Sequence, residues 1–282
     1  EILIMSNFIQ VSSHCNTFLG IDLHTTAATY AAIDATSDTL EKVTIPNHCT
    51  GKILRFIQSF KKPLCIGIES MGSYYWLWDM LNPIADEIHL LDALDLSKLR
   101  PRMADTDKIS ATKIAQIMKN ECIPQSYVPP VEIRHLRILG RQWHRITEEA
   151  AEIKSVMRWQ MYQVNARGPK AINAASIHRW MTGHGHQFNA LEAQMLWQNC
   201  ERIQTIERQR DAILREVRLI IKANEYLENR LKIITSPKGI SDVLGFIIMA
   251  EFGISIASET PMPLHETQHV TDPFGTNDLE SV

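Results

Sequence analysis

The longest uninterrupted pattern in the chain is a run of helical spacing from Glu132 to Val164. The run contains no proline and a single glycine, Gly140, and its apolar residues recur at steps of three or four. This spacing places them on one face, so residues 132–164 are predicted to form a long amphipathic helix. A second run of this kind, residues 190–231, predicts another long helix, and two such helices joined by a hinge usually pack as an antiparallel pair.

The amino-terminal part of the chain has a different pattern, in which short apolar runs alternate with helical spacing. The apolar runs predict strands at residues 17–23, 29–34, 43–45, 63–69 and 87–91, and the helical spacing predicts helices at 51–60, 74–81 and 107–118. Three successive strands favour an antiparallel meander, and the later strands alternate with helices. This order predicts an α/β fold with a mixed sheet covered by helices.

Two further segments complete the predicted organisation. Pro237-Lys-Gly-Ile240 precedes an apolar run and resembles the hairpin of a helix-hairpin-helix unit, with a plain helix-helix turn as the alternative. Residues 257–282 contain three prolines and five acidic residues without Lys or Arg, so they are expected to be disordered. The predicted domains are a sheet domain at 14–128, a helical coiled-coil region at 129–232, the start of a helix-hairpin-helix-like domain at 233–256 and the tail at 257–282.

Composition limits the function classes that the chain can belong to. Its 282 residues include 29 Lys and Arg against 32 Asp and Glu, so a contact with nucleic acid must use a local basic patch. Five widely spaced cysteines without a Cys-x-x-Cys pair predict neither a disulfide framework nor a thiolate zinc site, and fit a reducing cytoplasm. The apolar opening, residues 1–5, is far shorter than a membrane span of about 20 residues, so no membrane anchor is predicted.

Two of the predicted strands end in a carboxylate. Asp22 follows the apolar run that begins at Phe18, and Glu69 ends the run that begins at Cys65. Burying an unpaired charge is costly, so an acid that continues a buried strand indicates a functional position. The alternative is that each acid lies in solvent at a strand end or caps the next helix.

A third acidic segment, Asp105-Thr-Asp107-Lys-Ile-Ser110, opens the helix after the fifth predicted strand. Asp107 and Ser110 are three residues apart and would share one helix face. Ordinary N-capping by Asp105 or Asp107 is the alternative. Acids that end the first and fourth strands, with an acid on a later helix, are typical of a ribonuclease-H-like sheet that holds two divalent cations for phosphodiester chemistry.

Several short motifs occur over residues 17–254 in the order of one known family. They are Gly20-Ile-Asp22, Ile68-Glu69-Ser70-Met-Gly72-Ser-Tyr74, Thr106-Asp107-x-x-Ser110-Ala111, Tyr127-Val-Pro-Pro130 followed by Arg134, Arg137 and Arg141, Pro237-Lys-Gly239-Ile240, and Ala250-Glu251-Phe-Gly253. Through these motifs the chain resembles the transposases of the insertion sequence one hundred and ten group, which includes the Piv-type DNA invertases. The resemblance implies a domain similar to the Holliday-junction resolvase, then a helical coiled-coil region and a carboxy-terminal domain.

The resemblance also implies a site and an activity. Members of the family recombine DNA and bind Mg²⁺ with four acids, and some are guided by a structured RNA. Asp22, Glu69 and Asp107 match the first three acids, which implies that they are catalytic and bind Mg²⁺. Ser110 stands where the family has its fourth acid, and Asp105 cannot replace it because it would point to a different side of the helix. A serine hydroxyl is a neutral, weak ligand, so metal affinity is expected to fall.

The chain departs from the family again at its carboxy terminus. The resemblance implies a serine nucleophile in the carboxy-terminal domain, whereas the recognisable pattern stops near Ile254. Ser255, Ser258 and Ser281 match no family context. The chain is therefore expected to be a truncated or decayed transposase with impaired DNA cleavage and joining. The alternative is a catalytically inactive remnant that binds nucleic acid or partner subunits.

A second enzyme class shares part of the pattern. Gly20-Ile-Asp22 with Thr25-Thr26 also resembles the first phosphate loop of sugar-kinase and actin-like ATPases, which share the sheet order. That class requires a second glycine-rich phosphate loop, and none occurs among the 12 glycines. The glycine pattern therefore favours the transposase.

Candidate nucleic-acid contacts lie on the first long helix and in the predicted hairpin. They are Arg134, Arg137, Arg141 and Arg145, which recur at steps of three and four, and Lys238. Such a basic stripe suits phosphate contacts, and a solvated face paired with nearby glutamates is the alternative. The implied partners are DNA at the element ends and the target, a guide RNA, and other copies of the chain through the long helices.

Overall fold

The computed structural model describes residues 7–11, 14–38, 40–70, 72–98, 110–120 and 122–252. The chain forms two compact units that divide between Val128 and Pro129. The strands of the first unit are β1 (Asn7–Gln10), β2 (Thr17–Leu23), β3 (Ala27–Asp34), β4 (Leu40–Pro46), β5 (Leu64–Glu69), β6 (Glu87–Leu91) and β7 (Cys122–Gln125). Its helices are α1 (Thr50–Gln58), α2 (Tyr75–Leu81), α3 (Ala93–Lys98) and α4 (Ala111–Asn120).

The strands of the described residues form one mixed sheet in the order β1-β7-β6-β5-β2-β3-β4. β2, β3 and β4 are an antiparallel meander, whereas β5 pairs in parallel with both β2 and β6. The predicted mixed α/β sheet is confirmed. The five strands β2 to β6 have the strand order of a ribonuclease-H-like domain. The short strands β1 and β7 were not predicted, because four residues carry little periodicity and β7 contains Pro124.

Alternating side chains give the central strands two apolar faces. On one face Ile21 of β2 packs in the same core as Ile53 of α1 and Leu77 of α2. On the other face Phe18 of β2 packs in a second core with Ile114 of α4. Burial of an apolar side chain of this size contributes roughly 1.5–3 kcal/mol. Helices on both faces explain why the central strands are nearly continuous apolar runs.

Lys119 fixes the carboxy-terminal end of α4 to the end of β3. Its ammonium group donates hydrogen bonds to the carbonyl oxygens of Asp34 (3.1 Å) and Ala35 (2.8 Å), and it forms an ion pair with Asp38. The lysine side chain is largely buried, with 17% of its surface exposed. Charge-assisted bonds of this kind are stronger than neutral ones, so they hold α4 in one position on the sheet.

Cys15 and Cys65 form a disulfide, and their Cα atoms lie 6.0 Å apart. The sequence-based prediction that the cysteines form no disulfide framework is therefore wrong for this pair. The two residues are separated by 50 positions in the chain, and they meet because β5 lies beside β2, which Cys15 precedes. Pairings set by strand order leave no local signal in the spacing of cysteines.

The second unit is helical. Its elements are α5 (Val131–Gln163), α6 (Ala174–His184), a short 3-10 helix (Gly185–Gln187), α7 (Ala190–Lys222), α8 (Glu225–Thr235) and α9 (Asp242–Phe252). α5 is the first predicted long helix, with each end displaced by one residue.

The second predicted long helix, residues 190–231, is wrong as a single element. α7 ends at Lys222, and Asn224 begins α8 by accepting hydrogen bonds from the backbone N–H groups of Tyr226 (3.1 Å) and Leu227 (3.3 Å). An asparagine cap satisfies N–H groups that a helix start leaves unpaired, so it favours a new helix over continuation. The predicted domain boundary between residues 232 and 233 consequently falls inside α8.

The apolar stripes of α5 and α7 face each other within this unit. Leu136 of α5, Ile206 of α7 and Phe246 of α9 are buried in one core. Arg202 of α7 also contacts Glu149 of α5 (3.4 Å). The stripes are thus covered inside the unit, and self-association would have to use other residues. Among the described helices, none combines the length and the apolar character needed to span a membrane.

Candidate active site

Asp22 and Glu69 occupy equivalent positions on neighbouring parallel strands. β2 and β5 pair in register up to Ile21 opposite Ile68, and the two acids are the next residues on each strand. Residues in register point to the same face, and neighbouring strands lie about 4.8 Å apart. Both acids are partly buried. The structure therefore brings together, on one face of the sheet, the two acids that end predicted strands.

Glycine brings the start of α4 against this face. A Cβ atom at Gly20, two residues before Asp22, would overlap the carbonyl oxygen of Ala111 and lie 2.6 Å from the backbone nitrogen of Ala115. Gly67 is the register partner of Gly20 and also lies under α4. Without these side chains the backbone of α4 packs directly on β2 at Gly20, and side chains of α4 pack on β5 at Gly67.

Ser110 begins α4 at this position. Its carbonyl oxygen accepts hydrogen bonds from the backbone N–H groups of Lys113 (2.9 Å) and Ile114 (3.1 Å), and the residue is half-buried. Because Ala111 contacts β2 at Gly20, Ser110 lies at the helix end nearest to Asp22. Asp107, the third predicted acid, and Asp105 belong to the segment 99–109, which lies outside the described residues.

Polar residues continue across the sheet beside Asp22. Its register partner on β3 is Thr29, whose own partner on β4 is Thr44, and the two hydroxyl oxygens are 3.0 Å apart. The Nε2 atom of His24 lies 3.3 Å from Oδ2 of Asp22. Sequence reasoning missed His24, although a histidine two residues beyond an acid at a strand end was an available signal. The His24 side chain is 45% exposed, and that of Asp22 is 15% exposed.

Comparison with known families distinguishes between the enzyme classes. The sequence model of the DEDD family of the IS110 group, described as a transposase, matches residues 19–165, just over half of the 282 residues. The chain belongs to this transposase family. The match covers most of β2, then β3 to β7 and the whole of α5, and it includes Asp22 and Glu69. No curated protein matches the chain.

The residues of this transposase fit a divalent cation. DEDD transposases generally depend on divalent metal ions. Asp22 and Glu69 offer carboxylate oxygens on one face of the sheet, the ligand type that Mg²⁺ prefers. Both side chains keep part of their surface exposed, so an ion can reach them from solvent.

Three of the four arginines of the predicted stripe form hydrogen bonds within the second unit. The bonds run from Arg134 to the Pro129 carbonyl (2.7 Å), from Arg137 to the Ala250 carbonyl (2.8 Å) and from Arg141 to both carboxylate oxygens of Glu251 (2.8 and 2.9 Å). The arginines of α5 therefore bind the end of α9. The guanidinium group of Arg141 lowers the pKa of Glu251 by hydrogen bonding.

The other predicted nucleic-acid residues are exposed. Arg145 lies on the solvent side of α5, and Lys238 lies in the turn between α8 and α9. In that turn the N–H group of Ile240 donates to the Pro237 carbonyl (3.4 Å), and Gly239 has a φ of +98°, which favours glycine. The predicted turn is present, and its exposed lysine is accessible to a phosphate.

Proposed function

We propose that this transposase carries out metal-dependent cleavage and joining of DNA strands for an insertion sequence. The observation that carries the proposal is the placement of Asp22 and Glu69 on one face of the sheet, beside the start of α4. Two-cation sites for phosphodiester chemistry hold their ions about 4 Å apart, which requires convergent carboxylates from different elements. Adjacent strands in register supply such a pair.

Each residue of the site has a task in this proposal. Asp22 and Glu69 bind Mg²⁺, Asp107 is the third acidic ligand, and Ser110 occupies the fourth position. When bound, Mg²⁺ supplies Lewis-acid stabilisation of the charge that develops on the phosphate oxygens. His24, 3.3 Å from Asp22, holds the carboxylate in orientation.

The activity of this chain is proposed to be impaired, because Ser110 contributes no negative charge where the family has an acid. Two dications close together repel each other, and the summed charge of their ligands holds them. The second ion should therefore be the weaker one. A transposase remnant that binds nucleic acid without cleaving it is the alternative, and the same serine favours it.

The proposed substrates are the DNA of the element ends and of the target, with a structured guide RNA as a further partner. Arg145 and Lys238 support these contacts because both are exposed. Because the net charge of the chain is −3, phosphates must be neutralised by local basic side chains such as these two. Each phosphate contact would steepen the salt dependence of binding by about one unit.

Self-association through the long helices is proposed to use an apolar strip on α5. Val156, Trp159 and Tyr162 are 48%, 61% and 68% exposed and are spaced by three, so they share one side of the helix. Sedimentation equilibrium should show concentration-dependent dimers that Trp159→Glu weakens and Leu219→Glu, an exposed change on α7, does not. A chain that is monomeric throughout would contradict the proposal.

A cleavage assay on element-end DNA, with the element's own RNA and Mg²⁺, tests the proposed activity. Asp22→Asn and Glu69→Gln should each lower the cleavage rate by roughly two orders of magnitude or more, because each removes an ionic ligand. Glu41→Gln, on the exposed edge strand β4, is the matched control. Cleavage that survives Asp22→Asn would refute the proposed site. Mg²⁺ binding that needs Asp22, without cleavage, would support the inactive alternative.

A further inference from the structure

Three metal-ligating side chains meet at the ends of β5 and β6 that are remote from Asp22 and Glu69. The Sγ atoms of Cys15 and Cys65 and a carboxylate oxygen of Glu87 all lie within 4.8 Å of one another. Cys65 and Glu87 are register partners on the parallel strands, so both point to the same face of the sheet. Two sulfur ligands and one carboxylate thus converge from three segments of the first unit.

The surroundings of the cluster suit a bound cation. Cys15 and Cys65 are 3% and 0% exposed and lie in an apolar core, where an uncompensated thiolate would be costly. The Glu87 side chain is 33% exposed and opens the cluster to solvent. A cation could enter on that side, and its charge would neutralise the buried thiolates.

His89 supports the carboxylate of Glu87. Its Nε2 atom lies 3.2 Å from Oε2 of Glu87, and the residue is only 8% exposed. In the described part of the chain, its buried Nδ1 atom has no hydrogen-bond partner. Proteins commonly orient metal ligands through pairs of this kind between histidine and carboxylate. The buried imidazole is thus an independent feature that points to the same cluster.

We propose that Cys15, Cys65 and Glu87 bind a thiophilic divalent cation such as Zn²⁺ when the two thiols are reduced. Zinc is commonly tetrahedral, so three protein ligands leave one position for water. His89 is a positioning residue for Glu87. Cys65 and Glu69 are four residues apart on β5, roughly 13 Å along the strand, so this site is separate from the proposed catalytic one and does not rest on it.

The disulfide and the cation are alternative states of one pair of cysteines. A dithiol reductant supplies two electrons and two protons to the disulfide, and is itself oxidised to a disulfide while Cys15 and Cys65 become thiols. Cation binding then displaces the two thiol protons, because thiolates are the ligands. In the reverse direction a small disulfide accepts the two electrons and is reduced to two thiols, while Cys15 and Cys65 form their bond again; both sulfur ligands are then lost and the ion is released.

Cobalt binding to the full chain tests the proposal, because Co²⁺ reports thiolate ligation by a charge-transfer absorption band. Protein reduced with a phosphine and stripped of metal should bind one Co²⁺ per chain with this band, and Zn²⁺ should displace it. Cys15→Ser should abolish the band. His89→Gln should weaken cobalt binding by about 10- to 100-fold, as loss of a supporting partner does. Cys122→Ser, an exposed cysteine outside the cluster, should leave the band unchanged.

Alkylation of the unmodified protein gives a second readout that does not depend on the folding of any variant. Zn²⁺ should protect Cys15 and Cys65 from alkylation in the reduced chain, while Cys122 reacts. The proposal is overturned if the fully reduced, folded chain shows no charge-transfer band, or if the band persists in Cys15→Ser. Because both thiols are buried, the reaction is followed until they are alkylated in the reduced, metal-free chain, and equal rates with and without Zn²⁺ would also overturn the proposal.

Discussion

Gly20 and Gly67 are register partners on β2 and β5, and each lies two residues before an acid of the proposed site. A side chain at either position would collide with α4 or with the residues packed beneath it. Both strands therefore contain the pattern Gly-Ile-acid. The glycine leaves room for α4 to pack on the sheet, and the acid lies two residues further along the strand, toward the amino-terminal end of α4. Packing and the proposed metal chemistry depend on the same three-residue pattern.

Gly20→Ala should displace α4 and destabilise the first unit. The new methyl group would meet backbone atoms of Ala111 and Ala115, which cannot move without the whole helix. Overpacking of this kind typically costs about 1–3 kcal/mol. Hydrogen exchange of the α4 amides, compared with the unmodified chain, should show faster exchange over residues 111–120.

Gly51→Ala is the matched control for this change. Apart from its neighbours in the chain and the backbone of α1 itself, nothing lies within 4 Å of a Cβ built at Gly51, and alanine favours helix. Its exchange pattern over α4 should equal that of the unmodified chain. Protected α4 amides in Gly20→Ala would show that the helix tolerates a side chain there, contrary to the packing argument.

The sheet could be predicted from the sequence because its central strands are buried on both faces. Residues 17–23 and 87–91 appear as strands with the predicted bounds, and the acids at 22 and 69 stand where two buried runs end. That Asp22 and Glu69 lie close together in space could be inferred only from the order of the strands in the sheet. The glycine pattern at 20 and 67 was visible, but its packing role was not.

Features that depend on pairing between distant segments could not be predicted. The contact between Cys15 and Cys65 is set by strand order, and the break before Asn224 depends on a cap within a run of helix-forming residues. Likewise, the spacing of Arg137 and Arg141 suggested a basic stripe, and no pattern in the chain indicated that α9 ends beside α5. Periodicity reports which face a residue occupies but not what lies opposite.

Arg141→Gln should change the stability of the second unit, whereas Arg145→Gln should change DNA binding. Arg141 bonds both carboxylate oxygens of Glu251, so its loss should lower the free energy of unfolding of the second unit by roughly 0.2–1 kcal/mol, the range of exposed ion pairs. Arg145→Gln should leave stability unchanged and lower the salt slope of DNA binding by about 0.9. Urea unfolding and salt-dependent binding titrations measure the two effects. Equal salt slopes for Arg145→Gln and the unmodified chain would remove this residue from the interface.

The pair between Arg141 and Glu251 should also make stability depend on pH. Hydrogen bonding to Arg141 lowers the pKa of Glu251 in the folded chain below the ordinary value of about 4.3. The pair therefore contributes fully above that value, and its contribution is lost as the pH falls through the folded pKa. The stabilities of the unmodified chain and of Glu251→Gln, measured by urea unfolding, should differ at pH 6, and the difference should shrink as the pH falls below about 4.3. A difference that stays constant over this range would contradict the assignment.

Ser110 offers the most direct test of the proposed metal site, because one substitution supplies the negative charge that the proposed fourth position lacks. Ser110 begins α4 on the face of Asp22 and Glu69, so a carboxylate at this position adds a negative charge beside theirs. Added ligand charge offsets the repulsion between two dications and should stabilise the second ion most.

Ser110→Asp should therefore raise the affinity for Mg²⁺, with a second binding event appearing or strengthening by at least about tenfold in calorimetric titration. Thr112→Asp is the matched control, since it adds the same charge to the first turn of α4 but two residues further on, toward another side of the helix. A general effect of charge near the helix start would raise affinity equally in both variants. Combining Ser110→Asp with Asp22→Asn should cancel the gain, because the added acid binds the ion only together with Asp22. Retention of the gain in the double variant would place the ion elsewhere and refute the shared site.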